Sequence, residues 1–364
     1  MHPVHSLVRH KSRVIDLQKE QQQNVPHKKS GLEQLDYLRL KDHYDTPHYP
    51  IVLCHGFSGF DTISIPTNWL PKHKAKRAIT RIFQLDYWCG IRESLETLGS
   101  TVLIGRVPPF GTIEERAKML DKFIDRECQE LRKKESKSTI HKNHSHEDET
   151  FKLTHKPIKV NLISHSMGGL DSRYLISRFQ DNKNYKVVSL TTISTPHHGS
   201  ECADFLVGLV AKNSYLKKLC PQSVYELTTT NMEEFNAKVP DNPDVQYFSY
   251  GAKFNPKWFN VFNLTWRIMR RQISKREAKS LHNASGKKID KSPLRLANDG
   301  MVSVESSQWG KYLGTLDEVD HLDLINWTNK TRTAIDKLVF NEEPKFNALA
   351  LYLHIADTLA KKGL

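Results

Sequence analysis

The segment around Ser166 constrains the fold of this chain more than any other part of its sequence. A hydrophobic run over residues 158–163 leads into the six residues SHSMGG, of which Ser166 is the third, and a helix-like segment follows. Small residues two positions before and after a serine are typical of a strand-to-helix turn so tight that larger side chains would collide. The usual pattern has glycine where this chain has Ser164, the next smallest polar residue. The sequence therefore predicts a strand, a sharp turn that carries Ser166, and a helix.

A serine in such a turn is a candidate nucleophile, provided that a base and an acid lie close to it in the fold. The base removes the serine proton, and a carboxylate orients the base. Where this turn carries chemistry, the three groups follow in the order serine, acid, histidine. Beyond the TPHHG segment the histidines are His282, His321 and His354, and His321 is favoured because it follows the last predicted strand. Asp299, at the centre of an Asn-Asp-Gly turn, is the matching acid.

Each of these two partners also has an ordinary structural explanation. An aspartate between asparagine and glycine is common turn chemistry, and a loop histidine often makes only a structural hydrogen bond. The joint occurrence of Asp299 and His321 after Ser166, in the required order, favours the catalytic interpretation.

Two backbone amides are expected to face the negatively charged oxygen that forms when a serine attacks a carbonyl group. The Met167 amide is one of them, because it follows the serine at the start of a helix, where amides point outward. The other is expected from the segment HGFSG after the early strand, and the Phe57 amide is our candidate. His55, in the same segment, is predicted to position the loop.

Strands and helices alternate along residues 43–364, which predicts one α/β domain with a mostly parallel sheet covered by helices on both faces. Strands are predicted at 50–54, 101–107, 158–163, 187–193, 245–250 and 311–316. Residues 1–42 are predicted to form a polar, basic and poorly ordered extension, and residues 135–157 a surface insertion without apolar periodicity. An apolar and partly cationic segment at about 200–240 is a candidate lid.

The composition restricts the classes of partner and compartment. The chain has 54 Lys and Arg against 41 Asp and Glu, and its net charge of +13 favours acidic partners. No nucleic-acid-binding module is recognisable, so we expect no nucleic acid and favour an anionic membrane surface. No apolar run reaches the roughly 18 residues of a membrane-spanning helix, so no transmembrane segment is expected. Five cysteines without C-x-x-C spacing, and no recognisable signal peptide, predict free thiols.

Between residues 50 and 326 the chain carries, in this order, PIVLCHGFSGF, NLISHSMGGLDSRY, STPHHGS, NDGMVSVESSQWG and DHLDLIN. On these segments it resembles the true triacylglycerol lipases of the α/β-hydrolase superfamily, both the bacterial lipases that need a foldase and their fungal mitochondrial relatives. The resemblance implies an α/β-hydrolase fold with a lid-type insertion. It places the family's nucleophile, acid and base on Ser166, Asp299 and His321, and its oxyanion donors on Phe57 and Met167.

The same resemblance implies a reaction that needs no organic cofactor, and we expect none. The secreted bacterial members bind a structural calcium ion through two aspartates. Asp323 matches one of them but no aspartate matches the other, so no metal is expected. The resemblance to the fungal branch implies a mitochondrial location, with the cytoplasm or the surface of lipid droplets as alternatives.

On this resemblance we predict a serine lipase that hydrolyses long-chain acylglycerols through an acyl-enzyme intermediate, at a membrane or droplet surface. A phospholipase or lipid acyltransferase would use the same three side chains and stays open as an alternative, as does a lipid-binding protein without catalysis. The aromatic run at 258–266, followed by several arginines, is a second candidate for contact with an anionic lipid surface. Core packing would explain that run equally well.

Overall fold

The computed structural model describes residues 40–57, 62–64, 84–140, 156–181, 183–212, 214–283, 295–327 and 346–364. The strands in these residues are β1 (Ile51–Cys54), β2 (Thr62–Ser64), β3 (Gln84–Asp86), β4 (Val102–Ile104), β5 (Ile158–His165), β6 (Tyr185–Ile193), β7 (Gln246–Lys253) and β8 (Lys311–Asp317). The helices are α1 (Ile91–Leu98), α2 (Ile113–Ile140), α3 (Gly168–Arg178), α4 (Glu201–Val210), α5 (Ser214–Leu219), α6 (Gln222–Glu226), α7 (Thr229–Lys238), α8 (Asn263–Asn283) and α9 (Ala348–Lys361). A 3-10 turn, Asp323–Ile325, follows β8.

Six of these strands form one sheet in the order β4–β1–β5–β6–β7–β8, and β2 pairs with β3 in a separate antiparallel ribbon. Every neighbouring pair in the six-stranded sheet runs parallel. The carboxyl ends of all six strands therefore meet at one edge, where ligands and reacting groups gather in open α/β sheets. The predicted α/β fold with a mostly parallel sheet is confirmed.

The sheet is buried on both of its faces. Along β1, Ile51 and Leu53 belong to one hydrophobic cluster and Val52 and Cys54 to another, because successive side chains of a strand point to opposite faces. Helices α1 and α9 contribute apolar residues to the first cluster, and helices α2 and α3 to the second. Burial on both sides explains why the strands stand out in the sequence as continuous apolar runs.

Two segment boundaries differ from the sequence prediction. The predicted surface insertion at 135–157 begins inside α2, which continues to Ile140, and residues 141–155 lie outside the described part. Residues 135–140 continue the helix without apolar periodicity, so the hydrophobic pattern gives no sign of them. The predicted poorly ordered extension, residues 1–42, is too long at its C-terminal end. Leu40 packs against the core, and Lys41 Nζ lies 3.2 Å from His354 Nδ1. Residues 1–39 are outside the described part.

The cysteines agree with the expectation of free thiols. All five cysteines are free, as predicted, and four of them are buried. Burial raises the pKa of the Cys54 thiol to about 12 and that of Cys202 to about 11, so both groups stay protonated and unreactive. Among the helices of the described residues, none is long and apolar enough to cross a bilayer.

Candidate active site

Ser166 lies on the turn between β5 and α3, in a backbone conformation that residues with side chains rarely adopt. Its φ of 54° falls in the left-handed region. Its amide donates to the carbonyl oxygen of Ile193 at the end of β6, at 3.0 Å. A side chain is excluded two residues later, because a Cβ atom at Gly168 would stand 2.5 Å from the carbonyl oxygen of Cys54. The turn is therefore fixed between neighbouring strands and presents the serine at the sheet edge.

The serine that replaces the usual first glycine of this turn is accommodated inside the protein. Ser164 is fully buried, and its hydroxyl lies 2.8 Å from that of Ser172 on α3. The Ser172 hydroxyl donates to the Gly168 carbonyl oxygen (2.8 Å), which leaves Ser164 as the donor in the hydroxyl pair. An unpartnered buried hydroxyl would cost about 1–3 kcal/mol. The pair thus explains why serine is tolerated at position 164.

The structure brings the three predicted side chains together at the sheet edge. Ser166 Oγ lies 3.0 Å from His321 Nε2, and His321 Nδ1 lies 2.6 Å from Asp299 Oδ2. His321 follows β8, whereas Asp299 lies beyond the end of β7, where the Asn298 carbonyl oxygen accepts the Phe254 amide. The His321 amide also donates to the Asp299 carbonyl oxygen at 3.0 Å. The acid and base segments are therefore bonded directly to each other.

The Asp299 carboxylate is fully buried and accepts four hydrogen bonds. Its Oδ1 accepts the amides of Met301 (2.9 Å) and Val302 (2.7 Å), and its Oδ2 accepts the Ser194 hydroxyl (2.6 Å) and His321 Nδ1. Donors in this number stabilise the negative charge of a carboxylate that water cannot reach. With the proton of the imidazole on Nδ1, its Nε2 is the acceptor that faces the serine hydroxyl. This arrangement can take a proton from the serine.

The loop after β1 is pressed against the Ser166 turn. A Cβ atom at Gly56 would lie 2.6 Å from the Cβ of Ser166, so only glycine allows this approach. The Gly56 amide donates to the Tyr87 hydroxyl (2.9 Å), and that hydroxyl donates to Nδ1 of His165 (2.7 Å). One phenol group therefore connects the loop to the residue that precedes the serine.

A buried ion pair holds the same loop from the other side. Arg116 of α2 is fully buried and donates to the carbonyl oxygens of His55 (2.8 Å) and Gly56 (3.2 Å). It also donates through Nε to Oδ2 of Asp171 on α3, at 2.9 Å. Burial raises the pKa of Asp171 to about 6, although the Arg116 charge opposes this effect. Two helices thus fix the loop through one guanidinium group.

Phe57 and Met167, whose amides we predicted to face the oxyanion, belong to one small hydrophobic cluster. Ile113 of α2, Leu170 of α3 and Met232 of α7 also belong to this cluster. The Phe57 ring also contacts the Phe110 ring edge-on, at 5.3 Å between centroids. Within the described ranges, neither backbone amide donates a hydrogen bond to another protein atom. Both amides therefore stay candidates for the oxyanion donors.

Two other histidines near the site are held neutral. Burial and the Arg116 charge lower the pKa of His55 to about 4, and its Nδ1 donates to the Gly56 carbonyl oxygen at 3.1 Å. His55 thus supports the loop, as the sequence suggested. Burial and the neighbouring His321 lower the pKa of His165 well below its usual range. Of these three imidazoles, only His321 contacts the serine hydroxyl.

The described residues do not assemble a metal site. No group of three or more His, Cys, Asp or Glu side chains among them could hold a metal ion. Asp323, which matches a calcium ligand of the bacterial lipases, instead accepts the Asp320 amide at 3.1 Å. Asp320 in turn accepts the amides of Leu322 and Asp323, both at 3.0 Å. Protein groups close the turn around His321, and these residues do not fit the calcium site.

The candidate lid at about 200–240 contains four short helices, α4 to α7, and residue 213 within it lies outside the described part. The first turn of α4 is buried, whereas Leu206 and Leu209 further along the same helix are 41% and 54% exposed. Apolar side chains that point into solvent are expected of an element that meets lipid.

Sequence reasoning missed four residues that hold the site together: Tyr87, Arg116, His165 and Asp171. A signal existed for two of them. Arg116 lies next to Ala117 on the apolar face of α2, and a charged residue on a buried face indicates an internal partner. His165 lies within the turn motif itself. Tyr87 and Asp171 gave no signal, because their partners come from distant parts of the chain.

Comparisons with known proteins relate this chain to lipases. Residues 134–256 match the family model described as "Putative serine esterase (DUF676)". Over 355 residues the chain is 39% identical to Triacylglycerol lipase 2 of Saccharomyces cerevisiae. The aligned region covers 90% of this chain and 96% of the yeast protein. Over 343 residues it is 26% identical to a triacylglycerol lipase of Pseudomonas fragi, covering 87% of this chain and 97% of the bacterial one.

A solved structure agrees on the fold. Lipase 1 from Pelosinus fermentans superposes with a TM-score of 0.53 at 17% identity, covering 86% of this chain and 99% of that protein. At this identity the match shows the fold alone. The family is shown by the yeast relative, which is 39% identical along nearly its whole length. The chain therefore belongs to the triacylglycerol lipases with an α/β-hydrolase fold, and it is a serine lipase that acts on acylglycerols.

Proposed function

We propose that Ser166, His321 and Asp299 are the catalytic residues of this lipase. The observation that carries the proposal is the continuous chain of contacts from Ser166 Oγ through the His321 ring to Asp299 Oδ2, with distances of 3.0 and 2.6 Å. Side chains from distant parts of the sequence meet here in the arrangement that proton transfer from serine requires.

In the first half of the reaction, His321 Nε2 takes the hydroxyl proton of Ser166 while Oγ attacks the ester carbonyl carbon. Asp299 stabilises the imidazolium that forms and keeps its ring oriented. The imidazolium then donates its proton to the glycerol oxygen as the ester C–O bond breaks. The acyl group stays on Ser166 as an ester, and the alcohol leaves.

In the second half, a water molecule replaces the alcohol. His321 takes a proton from this water while the water oxygen attacks the acyl carbon, and the proton then returns to Ser166 Oγ as the fatty acid leaves. The same imidazole thus serves as base and then as acid in each half.

The Phe57 and Met167 amides are proposed to stabilise the oxyanion of both tetrahedral intermediates. Two observations support this role: in the part of the chain that the structure describes, neither amide has a protein acceptor, and Arg116 fixes the loop that precedes Phe57. Loss of one such donor costs about 3 kcal/mol of transition-state stabilisation.

We further propose that the substrates are long-chain triacylglycerols and diacylglycerols met at a membrane or droplet surface, and that the segment at 200–240 covers the site between turnovers. The exposed leucines of α4 support this assignment, because an apolar cover in solvent has a lipid surface as its natural counterpart. Comparing the products released from emulsified triolein and from phospholipid vesicles tests the substrate class. Faster release from the phospholipid would favour a phospholipase.

Replacement of the nucleophile tests the catalytic assignment. Ser166→Ala should abolish hydrolysis of triolein and also remove the single label that a fluorophosphonate probe adds to the intact protein. Ser164→Gly is the matched control, because it changes a serine in the same turn to the residue of the usual pattern and should retain the label. Unchanged turnover in Ser166→Ala would reject the assignment.

We also propose a mitochondrial location, which rests on the resemblance to the fungal mitochondrial lipases. Fractionation of cells that express the chain with a carboxyl-terminal tag tests this proposal. Recovery of the tagged chain with lipid droplets or in the cytosolic fraction would contradict it.

A further inference from the structure

The segment between β7 and α8, together with the first turn of α8, exposes large apolar side chains to solvent. Trp258 is 87% exposed, Val261 76% and Leu264 68%. Single exposed apolar residues are ordinary, but three so close together, two of them before α8 and one in its first turn, resemble the patches that mark binding surfaces. The three residues take no part in the catalytic contacts described above, so their exposure needs a separate explanation.

The same segment is held in shape by its own hydrogen bonds. The Asn260 amide donates to the Lys257 carbonyl oxygen (3.0 Å), and Asn260 Oδ1 accepts the Phe262 amide (2.8 Å). The Asn263 amide donates to the Asn260 carbonyl oxygen (3.0 Å), and the Asn263 side chain donates to the Lys257 carbonyl oxygen (3.1 Å). A built turn therefore presents the exposed side chains.

The inner side of this turn packs on the acid and base segments. Asn260 Nδ2 donates to Oδ2 of Asp320, the residue before His321, at 2.9 Å. The Phe262 ring lies edge-on to the His321 ring, with 6.4 Å between centroids. A Cβ atom at Gly300 of the acid segment would lie only 2.5 Å from the Cβ of Phe262. The turn thus has one side on the candidate active site and the other in solvent.

Helix α8 continues the exposed side as a basic stripe. Leu264, Arg267, Arg271 and Lys275 follow one another at intervals of three, four and four residues, which places them on one face of the helix. All four are exposed. Within the described ranges none of the three cations makes a salt bridge, and the salt bridges of this helix involve other residues. Apolar groups and positive charge that lacks a partner acid therefore adjoin each other.

We propose that this surface binds an anionic lipid bilayer. The docking face, as we name it, comprises Trp258, Val261, Leu264, Arg267, Arg271 and Lys275. Its apolar side chains would enter the boundary between headgroups and acyl chains, and its cations would contact lipid phosphates. The charge of the stripe, together with the net charge of +13, favours anionic lipid over a neutral surface. The proposal rests on the proposed function and deepens it by naming the surface that the lipase approaches.

Docking in this way has a direct consequence for the site. The inner side of the turn contacts Asp320 and Gly300, which are the neighbours of His321 and Asp299. A bilayer on the outer side would therefore be separated from the acid and the base only by this turn. The lipase would then hold its active site next to the lipid from which it takes substrate.

Vesicle binding tests the docking face. The full chain carrying Ser166→Ala is sedimented with vesicles of phosphatidylcholine alone, or of phosphatidylcholine mixed with phosphatidylglycerol, and should bind the mixture more tightly. The variant Arg267→Gln/Arg271→Gln/Lys275→Gln should lose on the order of a hundredfold in affinity for the mixture, since each basic residue near an anionic surface contributes about fivefold. Trp258→Ser/Leu264→Ser should lose at least about tenfold on both kinds of vesicle, because two large apolar groups no longer enter the lipid.

The matched control removes the same charge elsewhere on the molecule. Lys122→Gln/Lys133→Gln/Lys134→Gln neutralises three exposed lysines of α2 and should change vesicle affinity only a few-fold. Equal losses in this variant and in the α8 variant would show that the attraction is diffuse, and would overturn the docking face.

Turnover of a dissolved short-chain ester separates this proposal from the catalytic one. The docking variants with Ser166 restored should hydrolyse the dissolved ester at the rate of the unmodified chain. Docking variants that bind vesicles as tightly as the unmodified chain would overturn the docking face alone. Absence of ester turnover in the unmodified chain would contradict the catalytic assignment and leave the vesicle results standing.

Discussion

The acid–base half and the oxyanion half of the candidate site are built in different ways. In the first half, Asp299 and His321 bond to each other through side chains and backbone, and two further donors to the carboxylate come from the residues just after it. In the second half, the loop that carries Phe57 is fixed by Arg116 and Tyr87, which belong to other elements. One half is largely self-supporting, and the other depends on groups that reach it from outside.

This difference separates what a motif can specify from what only the assembled fold provides. A short motif contains the acid, its turn and the donors that the turn supplies, so the acid–base half is encoded locally. The oxyanion half requires the buried guanidinium group of Arg116 on α2 and the carboxylate of Asp171 on α3. These two groups meet only when α2 and α3 pack together on the sheet. The two halves should therefore fail in different ways when they are mutated.

Asp299→Asn should produce the largest effect and confine it to the acid–base half. An amide in place of the carboxylate favours the wrong tautomer of His321, and the corresponding change in a serine protease lowers kcat about 10,000-fold. The measurement is kcat on a dissolved short-chain ester. Asp317→Asn, at the partly exposed end of β8, is the control and should keep its activity. A loss smaller than about tenfold would contradict the role proposed for Asp299.

Arg116→Met should break the oxyanion half and the fold together. The change leaves Asp171 as a buried charge without its partner, which costs about 3–5 kcal/mol of unfolding free energy. In Arg116→Met/Asp171→Leu the charge is gone and most of that stability should return. Activity should stay reduced by up to about a hundredfold, because the His55 and Gly56 carbonyl oxygens still lack their donor.

Denaturant unfolding of both Arg116 variants measures the loss of stability, and kcat of the same variants measures the effect of the displaced loop on activity. Recovery of activity along with stability in the double variant would show that the ion pair serves the fold alone. In that event the comparison between the two halves would lose its basis.

Tyr87→Phe should have a smaller effect, because it removes one hydroxyl and keeps the ring. The Gly56 amide and His165 Nδ1 would each lose a partner, at a cost of about 1–3 kcal/mol in unfolding free energy. We expect kcat to fall about tenfold with KM nearly unchanged, since the loop next to the serine would lose one of its anchors. Tyr49→Phe, whose hydroxyl contacts the exposed Lys159, is the control. Full activity in Tyr87→Phe would limit the anchoring role to Arg116.

Acid should weaken the oxyanion half through His55. The pKa of His55 is lowered to about 4 in the folded protein, so below pH 6.5 the unfolded chain binds a proton that the folded chain excludes. Stability should therefore fall as pH drops from about 6.5 to about 4, by roughly 1.4 kcal/mol per pH unit. Asp171, with its pKa raised to about 6, acts in the opposite sense within part of this range.

The histidine contribution is isolated by comparing variants at each pH. In His55→Asn the unfolding free energy should depend less steeply on pH than in the unmodified chain. His43→Asn, which changes an exposed histidine outside the site, is the matched control. Equal slopes in all three proteins would contradict the role of His55.

Much of the fold and the acid–base half could be predicted from the sequence. Strands buried on both faces leave apolar runs, which located β5, β6 and β7 to within a few residues. The order of Ser166, Asp299 and His321 follows from chain topology, because all three lie at the carboxyl ends of strands. The structure brings these three side chains into contact, and their catalytic roles stay proposals until Ser166→Ala and Asp299→Asn are measured.

The rest could not be predicted because it depends on pairings between distant elements. Residues 84–86 pair with β2, and the left-handed Gly90 sets the start of α1 at Ile91, and neither feature leaves a periodic pattern in the sequence. Arg116 and Asp171 are 55 positions apart, and a single sequence gives no means of pairing them. The exposure of Trp258 was equally open, since an aromatic run has the same appearance in a core and on a surface.

The paired hydroxyls behind the turn also constrain the order in which this sequence could have arisen. If the ancestral chain had the usual glycine at position 164, gaining Ser172 first would have been harmless, because that hydroxyl bonds to its own helix at Gly168. Gaining Ser164 first would have placed its hydroxyl in the interior without the Ser172 acceptor that it has now. Reversion is asymmetric for the same reason. Ser164 can return to glycine while Ser172 stays, whereas loss of the Ser172 hydroxyl while Ser164 stays would remove the acceptor of a buried donor.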